Sequence, residues 1–296
     1  MSMSPRLLRP RQTLHPEAAD WAARVVANGG TVGTSLSAVD KFCKAIASAG
    51  IRDRFYRLNL FAGNSDASLN AVRTPLFLGP SLGGTQYGGT TDTNNNFLAA
   101  DYAENSGLLG NGSTKWLNTG FIAASSGLTS NQNIHISASI AGFTLGVNSG
   151  GALVSMARAT PDPDNDRYRI TATSNSTPTT DVTATLSQSA QFTSKQIAAT
   201  NGAVIPGGLW LASRGSATDL RLYNGATQEA SSVSAIGSFS PLTTEMSVLA
   251  IWNGATASTH LGARIRSYSV GVNLDATQVG YYNTALAAFN SALGRA

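Results

Sequence analysis

Ile134-His135-Ile136-Ser137-Ala138-Ser139-Ile140 alternates apolar and polar residues without a break. Successive side chains of a strand point to opposite faces, so Ile134, Ile136, Ala138 and Ile140 make one apolar face and His135, Ser137 and Ser139 one polar face. The same period returns in Tyr168, Ile170 and Ala172 against Arg169 and Thr171, and in Leu220 and Leu222 against Arg221 and Tyr223. Leu261, Ala263 and Ile265 alternate with Arg264 and Arg266. Asn224-Gly225 is a hairpin signal, and Met246 to Trp252 is apolar on both faces, as a strand central to a sandwich would be. Turn residues punctuate these runs, and no helix-length apolar period interrupts them. The reading is a mainly β fold, an antiparallel β-sandwich, with Ile134, Ile136, Ile170, Leu222 and Ile265 facing the shared core.

Outward from the sandwich, both ends read as helical. Pro16 suits a first helical position, with Ala18, Trp21, Ala22 and Val25 at helical spacing and Asn28-Gly29-Gly30 as the stop. A second helix starts near Ser35 and aligns Val39, Phe42, Cys43 and Ile46, with Gly50 ending it. The chain closes with a helix in which Asp275 and Gln278 have capping-box spacing and Val279, Tyr282, Leu286, Phe289 and Leu293 form the apolar stripe. Between the ends lies a long stretch rich in Gly, Asn and Thr. Three regions follow: a basic arm with two helices over 1–62, an irregular docking segment over 63–106 expected to pack on a neighbouring surface, and the sandwich with its closing helix over 107–296.

Composition limits the function classes. Charged residues are only 12% of the chain, and Ser, Thr, Gly and Asn make up 115 of 296 residues, which disfavours a helical bundle and favours short strands joined by turns. The apolar runs are far too short to span a bilayer, so no membrane insertion is expected. A lone cysteine, Cys43, rules out an internal disulfide and a cysteine-based zinc cluster; on an apolar stripe it reads as an inert core thiol. Residues 1–60 carry nine Lys/Arg against four Asp/Glu, whereas 61–296 carry eleven against twelve. Arg6, Arg9 and Arg11 on the Pro-punctuated arm are therefore the candidate assembly anchor. Three arginines on an otherwise neutral chain make a weak duplex binder, so nucleic acid is not the expected partner.

Gly107-Leu-Leu-Gly110-Asn-Gly112 lacks the lysine that a phosphate-binding loop needs at position 113, where Ser113 stands. Asp162, Asp164 and Asp166 have the alternate spacing that surrounds a hard cation, but an EF-hand also needs glycine at position 167 and glutamate at 173, and the chain has Arg167 and Thr173. A Pro-Asp turn before the strand at Tyr168 competes with a calcium site completed by distant loops, and no other cofactor is implied. His15, His135 and His260 share no metal spacing, and read as surface or internally satisfied histidines. Glycoside cleavage needs two flanking carboxylates, and none of Glu17, Glu104, Glu229 and Glu245 shares a strand with a second acid at short spacing. The expectation is a protein that is not an enzyme.

The run Gly107-Leu-Leu-Gly-Asn-Gly-Ser-Thr-Lys-Trp-Leu-Asn-Thr-Gly120 resembles the opening strand of laminin-G-like, concanavalin-type domains in structural proteins of tailed bacteriophages. Gly208-Leu-Trp-Leu-Ala-Ser-Arg214 leading to Leu222-Tyr-Asn-Gly225 is similar to the central hairpin of that group. Arg264-Ile-Arg-Ser-Tyr-Ser-Val-Gly271, with the helix after Asp275, is similar to its closing strand and helix. Trp21 to Gly30, with Ala38-Val-Asp-Lys-Phe42, resembles its helical preface. These are packing motifs that specify no ligand.

The resemblance implies a virion protein, made in the bacterial cytoplasm, with a lectin-like jelly roll. It further implies other virion proteins and sister copies as partners, and a host surface glycan as ligand if the domain serves attachment in a tail fibre or minor tail protein. A decoration protein that binds only other virion subunits is the first alternative, and a glycan-processing enzyme the second. Lectin-like sites present aromatic residues to sugar rings, which makes Trp116, Trp210, Tyr223 and Trp252 candidates by residue type; core packing is the competing role for each.

Overall fold

Two antiparallel sheets pack face to face, and three helices cover the far side of one of them, so the chain is built in three layers. This computed structural model describes residues 13–128, 133–146, 149–157, 166–174, 179–188, 192–198, 204–233 and 242–295. The inner sheet runs, from one edge, through Thr227–Ser232, Asp219–Asn224, Gly208–Ser216, Ile134–Ile140, Arg264–Gly271, Gly107–Leu109 and Tyr102–Ala103. Phe55–Asn59 continues the line of Gly107–Leu109, pairing with the second half of Arg264–Gly271. The outer sheet runs through Phe192–Ala198, Thr179–Gln188, Asp166–Ser174, Gly150–Ala157, Glu245–Val248, Trp116–Ile122 and Thr93–Asn95.

The sandwich core forms where the two-residue period places it. Ile134, Ile136, Ala138 and Ile140 face the same core as Trp210, Leu222, Ile265 and Val270. Ile170, Ala172, Val182, Ala184, Met246 and Val248 meet them from the outer sheet. The five core residues expected from the sequence all lie here, each 0 or 1% exposed. Gly225, at φ +59°, turns the hairpin between Asp219–Asn224 and Thr227–Ser232. Met246 to Trp252 is not one strand. It breaks after Val248, and Leu249 takes the left-handed conformation at φ +65° before a short hairpin of Ile251–Trp252 and Ala257–Ser258.

Helices Pro16–Ala27 (α1), Ser35–Ser48 (α2) and Ala276–Ala292 (α3) form the third layer. Asp275 caps α3: its carboxylate accepts from Gln278 N at 2.9 Å, while Gln278 Oε1 accepts from Asp275 N at 3.1 Å. Val279, Tyr282, Leu286 and Phe289 then pack with Phe42 of α2, Trp21 of α1, and Phe55 and Leu211 of the inner sheet in a second core. The polar face of Ile134–Ile140 is therefore buried. His135, Ser137 and Ser139 are at most 1% exposed, and such short side chains let the helices approach closely. Ser137 and Ser269 share a hydrogen bond of 2.6 Å; His135 Nε2 lies 3.0 Å from Ser269 Oγ and Nδ1 2.6 Å from Val272 O.

Residues 63–106, the expected docking segment, lie against the chain's own sheets. Leu69, Val72 and Phe97 enter the sandwich core, and Leu76 and Phe77 the helical one. Arg57 of the inner sheet holds the segment by an ion pair to Asp92. Cys43 is 1% exposed, and burial pushes its thiol well above the usual range, which leaves it a core residue.

Candidate functional site

The outer face of the outer sheet is where the fold leaves polar side chains on a rigid base. In Asp166–Ser174 the inward residues Tyr168, Ile170 and Ala172 are closed off in the core, so Arg169, Thr171 and Thr173 point outward. A trough of about 270 Å³ opens over them. Its wall is the hairpin that follows Leu249, contributing Ile251, Asn253, Ser258 and Thr259. Gly151 lets this hairpin lie against the sheet, since a Cβ there would sit 2.6 Å from His260 O. The base is pinned by Leu249 N donating to Leu153 O at 3.0 Å and Ala152 N donating to Thr259 O at 3.1 Å.

Two wall positions are strained. Leu249 and Thr259 are not glycine, yet stand at φ +65° and +51°; for a β-branched residue such as threonine this is a conformational outlier, of the kind that collects at binding sites. Asn253 is preset by its own turn: Oδ1 accepts from Ala255 N at 3.0 Å and from Thr256 N at 2.8 Å. That bond fixes the amide plane and leaves Nδ2 as an oriented donor. The trough thus offers hydroxyls from Thr171, Thr173, Ser258 and Thr259, an amide donor, one guanidinium, and an apolar patch at Ile251. No carboxylate lines it among the described residues.

No protein-family model and no curated protein sequence matches the chain. Among solved structures, it is similar to the CBM40 module of the Ruminococcus gnavus IT-sialidase, bound to α2,6-sialyllactose, with a TM-score of 0.41 and 11% identity over 60% of this chain and 96% of the module. It is also similar to the NanB sialidase of Streptococcus pneumoniae, with a TM-score of 0.42 and 12% identity over 59% of this chain and 27% of that one. A mutant Trypanosoma rangeli sialidase displaying trans-sialidase activity gives 0.41 and 9% identity, over 66% and 30%. At these identities and scores the likeness assigns no ligand and no residue.

The aromatic candidates are not gathered at one site. Trp210 is 1% exposed between the sheets, with Nε1 donating to Pro206 O at 3.0 Å, and Tyr223 is 1% exposed under the helices. Both are closed to a ligand, which corrects the expectation that they stack on sugar. Trp116 is 8% exposed because Trp252 stacks on it, with ring centroids 5.1 Å apart. Trp252 is half-buried beside the trough, and its Nε1 donates to Glu245 at 2.9 Å. Arg6, Arg9, Arg11, Asp162 and Asp164 lie outside the described residues, and Asp166 begins a strand with its side chain outside them.

The glycine-rich run at 107–112 is the short strand Gly107–Leu109 leading into a turn. The amide nitrogens of Ser113, Thr114 and Lys115, which a phosphate would need, all donate to Asn111 Oδ1 at 2.9–3.1 Å. Of the trough residues, Arg169 and Thr171 already stood on the polar face of an alternating run. Asn253 and Thr259 had no such signal, because their place depends on the break at Leu249.

Proposed function

We propose that this chain is a non-enzymatic structural protein of a tailed-phage particle, and that its lectin-like sandwich binds a surface glycan in the trough above Arg169, Thr171 and Thr173. The observation that carries the reading is the trough itself: hydroxyl, amide and guanidinium groups held on a rigid sheet beside a pinned, strained hairpin. Sugars are recognised by groups of this kind fixed in advance, which lowers the ordering cost of binding. Hydrolysis would need two carboxylates flanking the bond, and the described lining holds none. The packing motifs at 107–120, 208–225 and 264–271 support the virion setting, with other virion proteins and sister copies as partners and Arg6, Arg9 and Arg11 as the anchor.

A glycan array probed with the full chain tests the ligand. Binding to a defined set of glycans, lost in Arg169→Gln and weakened in Thr173→Val, is the expected result. An array without signal, or binding indifferent to both variants, overturns the trough and favours a decoration role toward other virion subunits. Immunogold labelling of purified particles tests the setting.

A further inference from the structure

A second opening lies on the opposite side of the molecule, between α3 and the helix-facing side of the inner sheet. This cleft has a volume of about 410 Å³, within the range of small-molecule sites. Leu209 and Leu286 provide apolar lining, and Ser139, Asn283, Asn290 and Arg266 provide polar lining, with no carboxylate among the described residues. It shares no residue with the trough.

Two of its polar side chains are buried and unmet. Ser139 is 1% exposed and its Oγ has no hydrogen-bond partner among the described residues; Asn290 is 8% exposed and the same holds for its Oδ1. An unmet buried polar group costs about 1–3 kcal/mol. The neighbouring hydroxyls show that the fold can avoid this cost. One step further along the same strand face, Ser137 and Ser269 bond each other, and His135 bonds Ser269. Ser267 Oγ, opposite Ser139 on the neighbouring strand, is also unmet among the described residues but does not line the cleft, whereas Ser139 and Asn290 do.

We propose that this cleft binds a hydroxylated ligand of monosaccharide size. One ligand hydroxyl donates to Asn290 Oδ1, a second exchanges a hydrogen bond with Ser139 Oγ, and the apolar face of the ring lies on Leu209 and Leu286. A pyranose carries both surfaces on one molecule, a C–H face and a hydroxyl rim.

The test is an NMR titration of the full chain with the methyl glycosides of glucose, galactose and N-acetylglucosamine, up to tens of millimolar. At least one should give saturable shifts in the α3 amides over 283–291. Asn290→Leu should weaken that binding by roughly tenfold or more, whereas Tyr281→Gln, on the exposed side of the same helix, should keep it. Asn290→Leu removes an unmet polar group, so its Tm should be unchanged or higher, which separates lost binding from lost folding. No saturable shift in the wild type, or equal affinity in Asn290→Leu, overturns the proposal.

Discussion

Arg57 and Asp92 form an ion pair closed entirely to solvent, with Nη2 2.8 Å from Oδ1 and both side chains 0% exposed. Burial of this kind is tolerable only when every lone pair and proton is engaged. Asp92 also accepts from Tyr268 Oη at 2.7 Å and from Asn59 Nδ2 at 2.9 Å, and Arg57 donates to the carbonyls of Tyr87 and Gly89. The pair fastens the long 63–106 segment to the inner sheet. Asp92→Leu leaves the guanidinium buried and unpaired, and should cost about 3–5 kcal/mol in urea unfolding. The double variant Arg57→Met/Asp92→Leu should recover much of that loss. Equal stability of the two variants would show that the pair is not the fastening.

His135 makes stability depend on pH. Burial, with Arg54 as a lesser contribution, brings its folded pKa down to about 4 from 6.5, against the opposing effect of the bond to Val272 O. The unfolded chain therefore takes up the proton first as pH falls. Stability should be complete above about pH 6.5, decline through the window between 6.5 and 4, and lose about 3 kcal/mol in total from this one group. The difference in unfolding free energy between the wild type and His135→Gln, measured at pH 7 and pH 4, isolates that loss from the titration of carboxylates. A pH-independent difference would assign the slope elsewhere.

Helix α3 covers the buried serines, so its first turn bears on the whole third layer. Asp275→Ala removes a cap hydrogen bond from Gln278 N and should cost about 0.5–2 kcal/mol, with Asp275→Ser recovering most of it. Thermal unfolding of the three proteins distinguishes a cap from a mere surface charge, which serine would not restore.

The core was legible because period two does not depend on what lies opposite. Ile134, Ile136, Ile170, Leu222 and Ile265 reach it whichever sheet they meet. The same period placed His135, Ser137 and Ser139 on a polar face, but serine suits both water and close packing, so a covering helical layer left no local sign. Trp210 and Tyr223 have the chemistry of a stacking site and of a core; pairing with strands far along the chain decided for the core. Residues 63–106 read as an irregular segment packing over a neighbouring surface, and their polar composition gives no hint of which surface, since Asp92 meets Arg57 from 35 residues away. In the trough, Arg169 and Thr171 followed from alternation, whereas the wall depends on a left-handed leucine, and no residue type announces that conformation as glycine does.

Thr259 links that wall to its cost. A residue held in the left-handed region stores on the order of 1–3 kcal/mol, and threonine, branched at Cβ, adapts to it poorly. Glycine adopts φ +51° freely but gives up roughly 0.5–1 kcal/mol of chain entropy. Thr259→Gly should therefore stabilise the fold by about 1 kcal/mol while removing a hydroxyl and a stiff side chain from the trough rim. If the strain serves binding, the more stable variant should bind its array-positive glycan more weakly. Thr259→Ala separates the two effects, for it drops the hydroxyl but keeps a Cβ in the strained conformation. Weaker binding in Thr259→Gly than in Thr259→Ala would attribute the loss to the rigidity of the hairpin. Equal binding in both variants would leave only the hydroxyl, and the strain would then have no part in recognition.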